Sequence, residues 1–279
     1  MIAFSHIPKT AGTTLTAILR RNLGLRHFDT RGVTGKGLMY ADELRAVRRL
    51  YPRLASIAGH GVSPAGDLHC ESDLRYYTFV REPIARCLSH FQHVIWCRAK
   101  TRKPTPDTLA FFYEWLQANR NWHTRQLAGV EDAAKAIDVI QETVSFVGVV
   151  EQFDESLVMF RAWAGMPSFD LRYRSLNVSA GRAACDQCLV REELARDTKL
   201  ASALVEANQQ DLTLYRWVMD EQYPQQRMLF ESVVAEELEA FRRANAQANI
   251  RLQDSLSAKA YRNVIFKPLR RFVLPQRAA

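Results

Sequence analysis

The stretch MIAFSHIPKTAGTTL, Met1 to Leu15, decides how the rest of the chain is read. Ile2 to Ile7 is a short apolar run, broken by Ser5 and His6, and it predicts a buried strand. Pro8, Lys9, Thr10, Ala11, Gly12, Thr13 and Thr14 follow as a small-residue loop. Leu15, Ile18, Leu19 and Leu23 then recur at helical spacing, so a helix leaves the loop. A strand, a loop of small residues with one lysine, and a helix together make an arrangement for holding a phosphate. Backbone N–H groups at the helix start face the anion, and the helix dipole favours its charge. Gly12 lets the backbone approach closely, Thr10, Thr13 and Thr14 bring hydroxyl donors, and Lys9 brings the compensating charge.

This is not the nucleoside-triphosphate loop GxxxxGK[ST], where the lysine closes the loop beside a magnesium-binding hydroxyl. Here Lys9 opens the loop, three residues before Gly12. PKTAGTT resembles the 5′-phosphosulfate loop of sulfotransferases that use 3′-phosphoadenosine 5′-phosphosulfate (PAPS). The plainer alternative is a strand-to-helix turn with a solvated lysine.

The chain's 279 residues fit one large α/β domain or two smaller ones, and they bury a substantial core. The formal net charge of +8 is carried mostly by arginine, which suits phosphate, sulfate or carboxylate partners, an acidic glycan among them. No basic-aromatic module points to nucleic acid. A cationic surface that serves solubility alone reads equally well. The apolar start is too short for a secretory signal or a membrane anchor, and no later stretch reaches spanning length. Five cysteines, an odd number, argue against a disulfide framework. Cys185 and Cys188 form a lone CxxC without a second pair at zinc-site spacing, so no metal is expected. Cytoplasmic residence is the expectation.

Leu25 to Phe28 predicts a short strand, residues 29–37 a glycine-containing loop, Ala41 to Tyr51 a helix, and Leu54 to Ala58 a further strand. That strand runs into Gly59, His60 and Gly61. In open α/β sheets, ligands collect at the carboxyl ends of the strands, where Lys9 also falls. A histidine there, between glycines, is a candidate general base because its intrinsic pKa lies near neutrality. A structural histidine is the alternative.

Tyr76 to Val80 is a strand, and Pro83 suits the first turn of the helix that follows. Ile84, Cys87, Leu88, Phe91 and Ile95 form its buried stripe, while Arg86, Ser89 and His93 fall on another face. Arg81, at the junction, can share an anion with Ser89, since an arginine fork and a hydroxyl suit a terminal phosphate. An arginine that caps the helix or pairs with Glu82 is the alternative.

A strand with an arginine at its end and a serine eight residues on resembles the 3′-phosphate motif of the same family. With PKTAGTT upstream, the chain is similar to PAPS-dependent carbohydrate sulfotransferases, nearest the heparan sulfate 2-O- and 6-O-branch. NWHTRQL (Asn121 to Leu127), FVGVVEQFDESL (Phe146 to Leu157), LNVS (Leu176 to Ser179) and DLTLYRW (Asp211 to Trp217) extend the likeness over about residues 1–220. The resemblance implies a P-loop-like, three-layer α/β fold, with a central, mostly parallel sheet flanked by helices and a helical C-terminal part. It implies His60 and Lys9 as catalytic residues. It implies Lys9, Thr10, Ala11, Gly12, Thr13, Thr14, Arg81, Ser89, Ser175, Asn177 and Ser179 around PAPS or its product PAP. His123 and Arg125 are candidate acceptor contacts, with a salt-bridged surface arginine equally open.

Residues 98–106 read as a basic surface loop. Leu109 to Ala118 and Glu131 to Gln141 predict helices, Val144 to Val150 a central strand, and Glu151 to Trp163 a helix. Leu171 to Ser179 is extended and arginine-rich, and 180–189 is a loop. Leu189 to Val218 holds one or two helices, and Tyr223 onward another to about Ala248. Residues 1–255 form one domain. Residues 256–279 form a basic, apolar-interleaved tail that reads as a membrane-surface segment or as a docking arm. The function expected is sulfuryl transfer from PAPS to a carbohydrate hydroxyl on an acidic or lipid-linked acceptor. The rivals are a P-loop kinase of a small metabolite and a non-catalytic glycan- or membrane-binding scaffold.

Overall fold

The structure, a computed structural model, describes residues 1–34, 37–51, 53–99, 108–173, 193–248 and 260–274. Five strands form one sheet: β1 (Ile2–Ser5), β2 (His27–Asp29), β3 (Ser56–Gly59), β4 (Arg75–Val80) and β5 (Val144–Val149). Their order is β2-β3-β1-β4-β5, and every pairing is parallel. A parallel sheet covered on both faces needs strands that are apolar throughout, and β1 is buried at all four positions. Phe4 stacks on Tyr77 of β4 and meets Phe79 edge-on, which fixes the centre of the sheet.

Parallel neighbours require crossovers, and helices supply them. α1 (Gly12–Leu23) joins β1 to β2, while the short α2 (Arg31–Thr34) and α3 (Ala41–Leu50) join β2 to β3. Between β4 and β5 come α4 (Pro83–Ala99), α5 (Thr108–Ala118), α6 (Trp122–Ala128) and α7 (Ala133–Glu142). α8 (Phe153–Ala164) follows β5. The chain builds outward from β1 to one side through β3 and β2, and to the other through β4 and β5. The switch point is therefore at β1, the place where an open α/β sheet opens a crevice at its carboxyl edge. The loops after β1, β3 and β4 carry Lys9, His60 and Arg81 to that edge.

The later helices are α9 (Thr198–Ala207), α10 (Gln209–Trp217), α11 (Tyr223–Leu229) and α12 (Glu231–Ala246). A second apolar cluster joins Cys87, Leu88 and Phe91 of α4 to Phe112, Trp115 and Leu116 of α5 and Leu200 and Leu204 of α9. The expected parallel α/β architecture is present, with local differences. The strand expected at Leu25 to Phe28 forms at His27–Asp29, because Gly24–Arg26 winds into a 3-10 turn first. The glycine loop after it contains α2. The helix expected from Tyr223 onward is two, α11 and α12, which meet at Phe230. α4 continues to Ala99, two residues into the expected basic loop. The remainder of that loop, the segment holding Ser175, Asn177 and Ser179, and the Cys185/Cys188 pair lie outside the described residues.

The basic tail does not stand apart from the core. Its final helix, α13 (Lys267–Val273), is preceded by a π-turn over Arg262–Phe266. Phe266 is buried against Phe28 of β2 and Tyr51. Among the described residues no helix is long and apolar enough to cross a membrane.

Candidate functional site

The loop after β1 holds a tightly wound backbone. Lys9 and Ala11 both have positive φ, 69° and 59°, a region that costs non-glycine residues about 1–3 kcal/mol. Ala11 occupies the N-cap position of α1 without a side-chain cap, and no acidic residue sits in the first turn. The Thr14 N–H donates to the Ala11 carbonyl at 3.0 Å, while those of Gly12 and Thr13 are positioned for an external acceptor. Gly12 is required by packing: a Cβ there would lie 1.8 Å from Nε2 of His6, so the imidazole lies on the glycine. Thr13 is exposed and Thr14 half-buried. Thr10 differs from expectation. It is fully buried and its hydroxyl donates to the Ile7 carbonyl at 2.9 Å, so its side chain closes the loop from within.

His60 follows β3 through Gly59, whose φ of 152° and contact with Thr30 Oγ1 leave no room for a side chain. Its Nδ1 lies 2.7 Å from the His6 carbonyl. A carbonyl only accepts, so Nδ1 carries the proton and Nε2 is the basic nitrogen. The two imidazoles stack with centroids 4.2 Å apart. Desolvation lowers the pKa of His60, the His6 carbonyl opposes that, and the charge of Arg31 lowers it further. His6 is pushed down to about 3, by burial first and then by His60. Both rings are neutral at pH 7. Gln126 of α6 steadies the segment, donating to the carbonyls of His60 at 3.1 Å and Val62 at 2.8 Å.

Arg81 leaves β4 toward the same edge. Its Nη1 donates to the Lys9 carbonyl at 3.3 Å, which ties the arginine to the loop of the first motif. Its backbone N–H donates to Nε2 of His123 at 3.3 Å. Glu82 is used as the cap of α4, accepting from the N–H groups of Ile84 and Ala85, and its own N–H donates to Glu151. Ser89 is half-buried about two turns into α4. On the same helix Arg86 is completely buried, and none of its three guanidinium nitrogens has a hydrogen-bond partner. Burial lowers its pKa, against the pull of Cys87 and Asp211. His90 also has an unpartnered buried Nδ1. Its pKa falls to about 3 through burial and then the charges of Arg86, Lys9, His93 and His60. Basic groups therefore converge here, and the orphaned Arg86 donors in such a setting suit an anionic ligand.

Within the segment NWHTRQL, His123 has a different part from the one expected. His123 is 1% exposed and both ring nitrogens are engaged. Nε2 accepts from Arg81, and Nδ1 donates to Asp211 Oδ2 at 2.8 Å. His123 is thus a positioning residue with no nitrogen left for an acceptor. Asp211 also accepts from the N–H groups of His123 and Thr124, capping α6 from α10. Burial would raise the Asp211 pKa, but His123 and Arg86 together hold it below the usual carboxylate range. Arg125 is exposed, with its guanidinium 5.5 Å from the Trp122 ring centroid and an Nη1 hydrogen bond to the Ala118 carbonyl. Sequence reasoning missed His6, Arg86 as an orphan, Gln126 and Asp211. For His6 a signal existed, since it is the residue between strand and loop.

The geometry unites a helix-start anion loop, a histidine with a free basic nitrogen and an arginine tied to that loop. Among the described residues no group of three or more His, Cys, Asp or Glu side chains is placed to hold a metal ion. A family model, described as the sulfotransferase family, matches residues 1–217, a span that includes all of these groups. No curated protein matches the chain.

Proposed function

The chain belongs to the sulfotransferase family, and on that premise we propose that it moves a sulfuryl group from PAPS to a hydroxyl of a carbohydrate, leaving PAP. The observation that carries this reading is the hydrogen bond from His60 Nδ1 to the His6 carbonyl. It sets a neutral imidazole beside the anion loop, with Nε2 as the nitrogen able to take a proton. When bound, the donor supplies an electrophilic sulfur and a phosphate leaving group. The N–H groups at the start of α1, with Thr13 and Thr14, hold the 5′-phosphate. Arg81 and Ser89 hold the 3′-phosphate, and Ser175, Asn177 and Ser179 belong to the same reading. Lys9 offers its charge where negative charge develops on the departing oxygen. Nε2 of His60 receives the acceptor hydroxyl's proton.

An acidic or lipid-linked glycan suits the basic surface, to which Arg125 adds an exposed cation on α6. Cytoplasmic residence is part of the proposal, supported by the free cysteines Cys70 and Cys87. Calorimetric titration with PAP and with ADP, both without magnesium, tests the donor site. Tight binding of PAP and weak binding of ADP is expected. ADP bound preferentially, with magnesium strengthening it, would make the chain a kinase and end the proposal.

A further inference from the structure

The segment 260–274 has two unlike sides. Inward, Phe266 is buried on Phe28 and Tyr51, and the Tyr261 hydroxyl donates to the Leu50 carbonyl. Arg262 lies 3.5 Å from Asp29, the last residue of β2. These contacts moor the segment to the outer edge of the sheet. Outward, Val264 is 72% exposed and Phe272 73%, with Ile265 and Leu269 also exposed. Lys267 and Arg270 stand exposed among them. From Lys259 to Ala279 the sequence has six Lys and Arg and no Asp or Glu.

We propose that this face docks the protein on an anionic lipid surface. Single exposed apolar residues are ordinary, but four on one short moored segment make a patch. Apolar side chains interleaved with cations are the pattern that lies in a headgroup layer, with the basic stems reaching outward. The helix is convex, and a bilayer accepts a convex intruder without needing a preformed groove. A second copy is disfavoured because pairing the same face would bring Lys267 and Arg270 of each copy against one another, with no Asp or Glu in this stretch of sequence to offset them. The docking rests on nothing in the transfer reading, so either can fail alone.

The test is co-sedimentation of the full chain with vesicles of phosphatidylcholine, with and without phosphatidylserine. Pelleting with the anionic vesicles only, weakened by salt, is expected. At about one factor of five per charge, Lys267→Gln with Arg270→Gln should weaken it roughly thirty-fold. Val264→Ser with Phe272→Ser should weaken it about tenfold or more while leaving the melting temperature unchanged. Absence of pelleting, equal pelleting with both vesicles, or indifference to both variant pairs overturns the proposal. So does a concentration-dependent dimer that the Val264 and Phe272 changes dissolve, or capture of an acidic protein without any vesicle binding.

Discussion

His6 and His60 lie ring on ring, 22° from parallel, and the carbonyl of the first takes the Nδ1 proton of the second. One residue thereby sets the tautomer of the other. The proposed anion loop and the proposed base are joined by this bond and by a second one, from the His6 N–H to the Gly59 carbonyl at 3.3 Å.

His60→Ala should cost ~10²–10⁴ in turnover while sparing affinity for PAP. The wild-type pH profile carries the same information. Because the His60 pKa is lowered from 6.5, the base stays neutral below the ordinary histidine range. The acid limb of kcat/KM should therefore fall below pH 6.5. A limb centred above that value, or normal turnover in the variant at saturating PAPS, removes His60 from the mechanism.

Arg81→Ala should weaken PAP by roughly 10–100-fold, the worth of a charge-assisted hydrogen bond of about 1.5–3 kcal/mol. Affinity measured by calorimetry should fall for PAP but little for adenosine 5′-phosphosulfate, which lacks the 3′-phosphate. Equal losses for both ligands would place Arg81 elsewhere.

Gly12→Ala pushes a methyl into the His6 ring, which stacks on Phe4 on one side and on His60 on the other. Overpacking of this kind costs about 1–3 kcal/mol in stability. Adding His6→Ala removes the obstacle, so the double variant should unfold at higher urea than the sum of the single effects predicts. Strict additivity would show that the glycine serves another purpose.

Asp211→Ala strands three buried donors, the two N–H groups and the ring N–H that Asp211 receives. Stability should drop by about 3–5 kcal/mol. Asp211→Asn is the milder probe. The Asp211 carboxyl is held below 3.8 in the fold, so its contribution is present above pH about 4 and fades as pH falls through the folded value. The stability gap between wild type and Asp211→Asn should close on acidification. PAP affinity should fall in this variant as well, because His123 orients the Arg81 amide.

The parts that could be read from sequence are those whose partners are near neighbours in the chain. The strand, loop and helix around Lys9 announce themselves through periodicity and small residues, as do the glycines around His60 and the proline after Arg81. The place of His123 is not legible in the sequence because it depends on Asp211, 88 residues away, and a polar residue on a short helix looks accessible until that partner is known. Arg86 sits on the same helical face as Ser89, but periodicity says nothing of the α10 helix that helps bury it. Tyr261 and Phe266 could not be told from their exposed neighbours, since the π-turn alters the spacing that a regular helix would show.

The bond between His123 and Asp211 also bears on the order in which the protein matures during synthesis. The phosphate loop, His60 and Arg81 leave the ribosome long before residue 211, and β1, β3 and β4 can pair early. Until α10 emerges, α6 has no cap and the amide of Arg81 no fixed acceptor. A nascent chain stalled before Asp211 would hold the loop after β1 while the Arg81 amide and α6 still lack their partners. The carboxyl edge of the sheet is thus completed by nearly the last segment of the family core, and on the proposed function a chain released before it would lack a finished site.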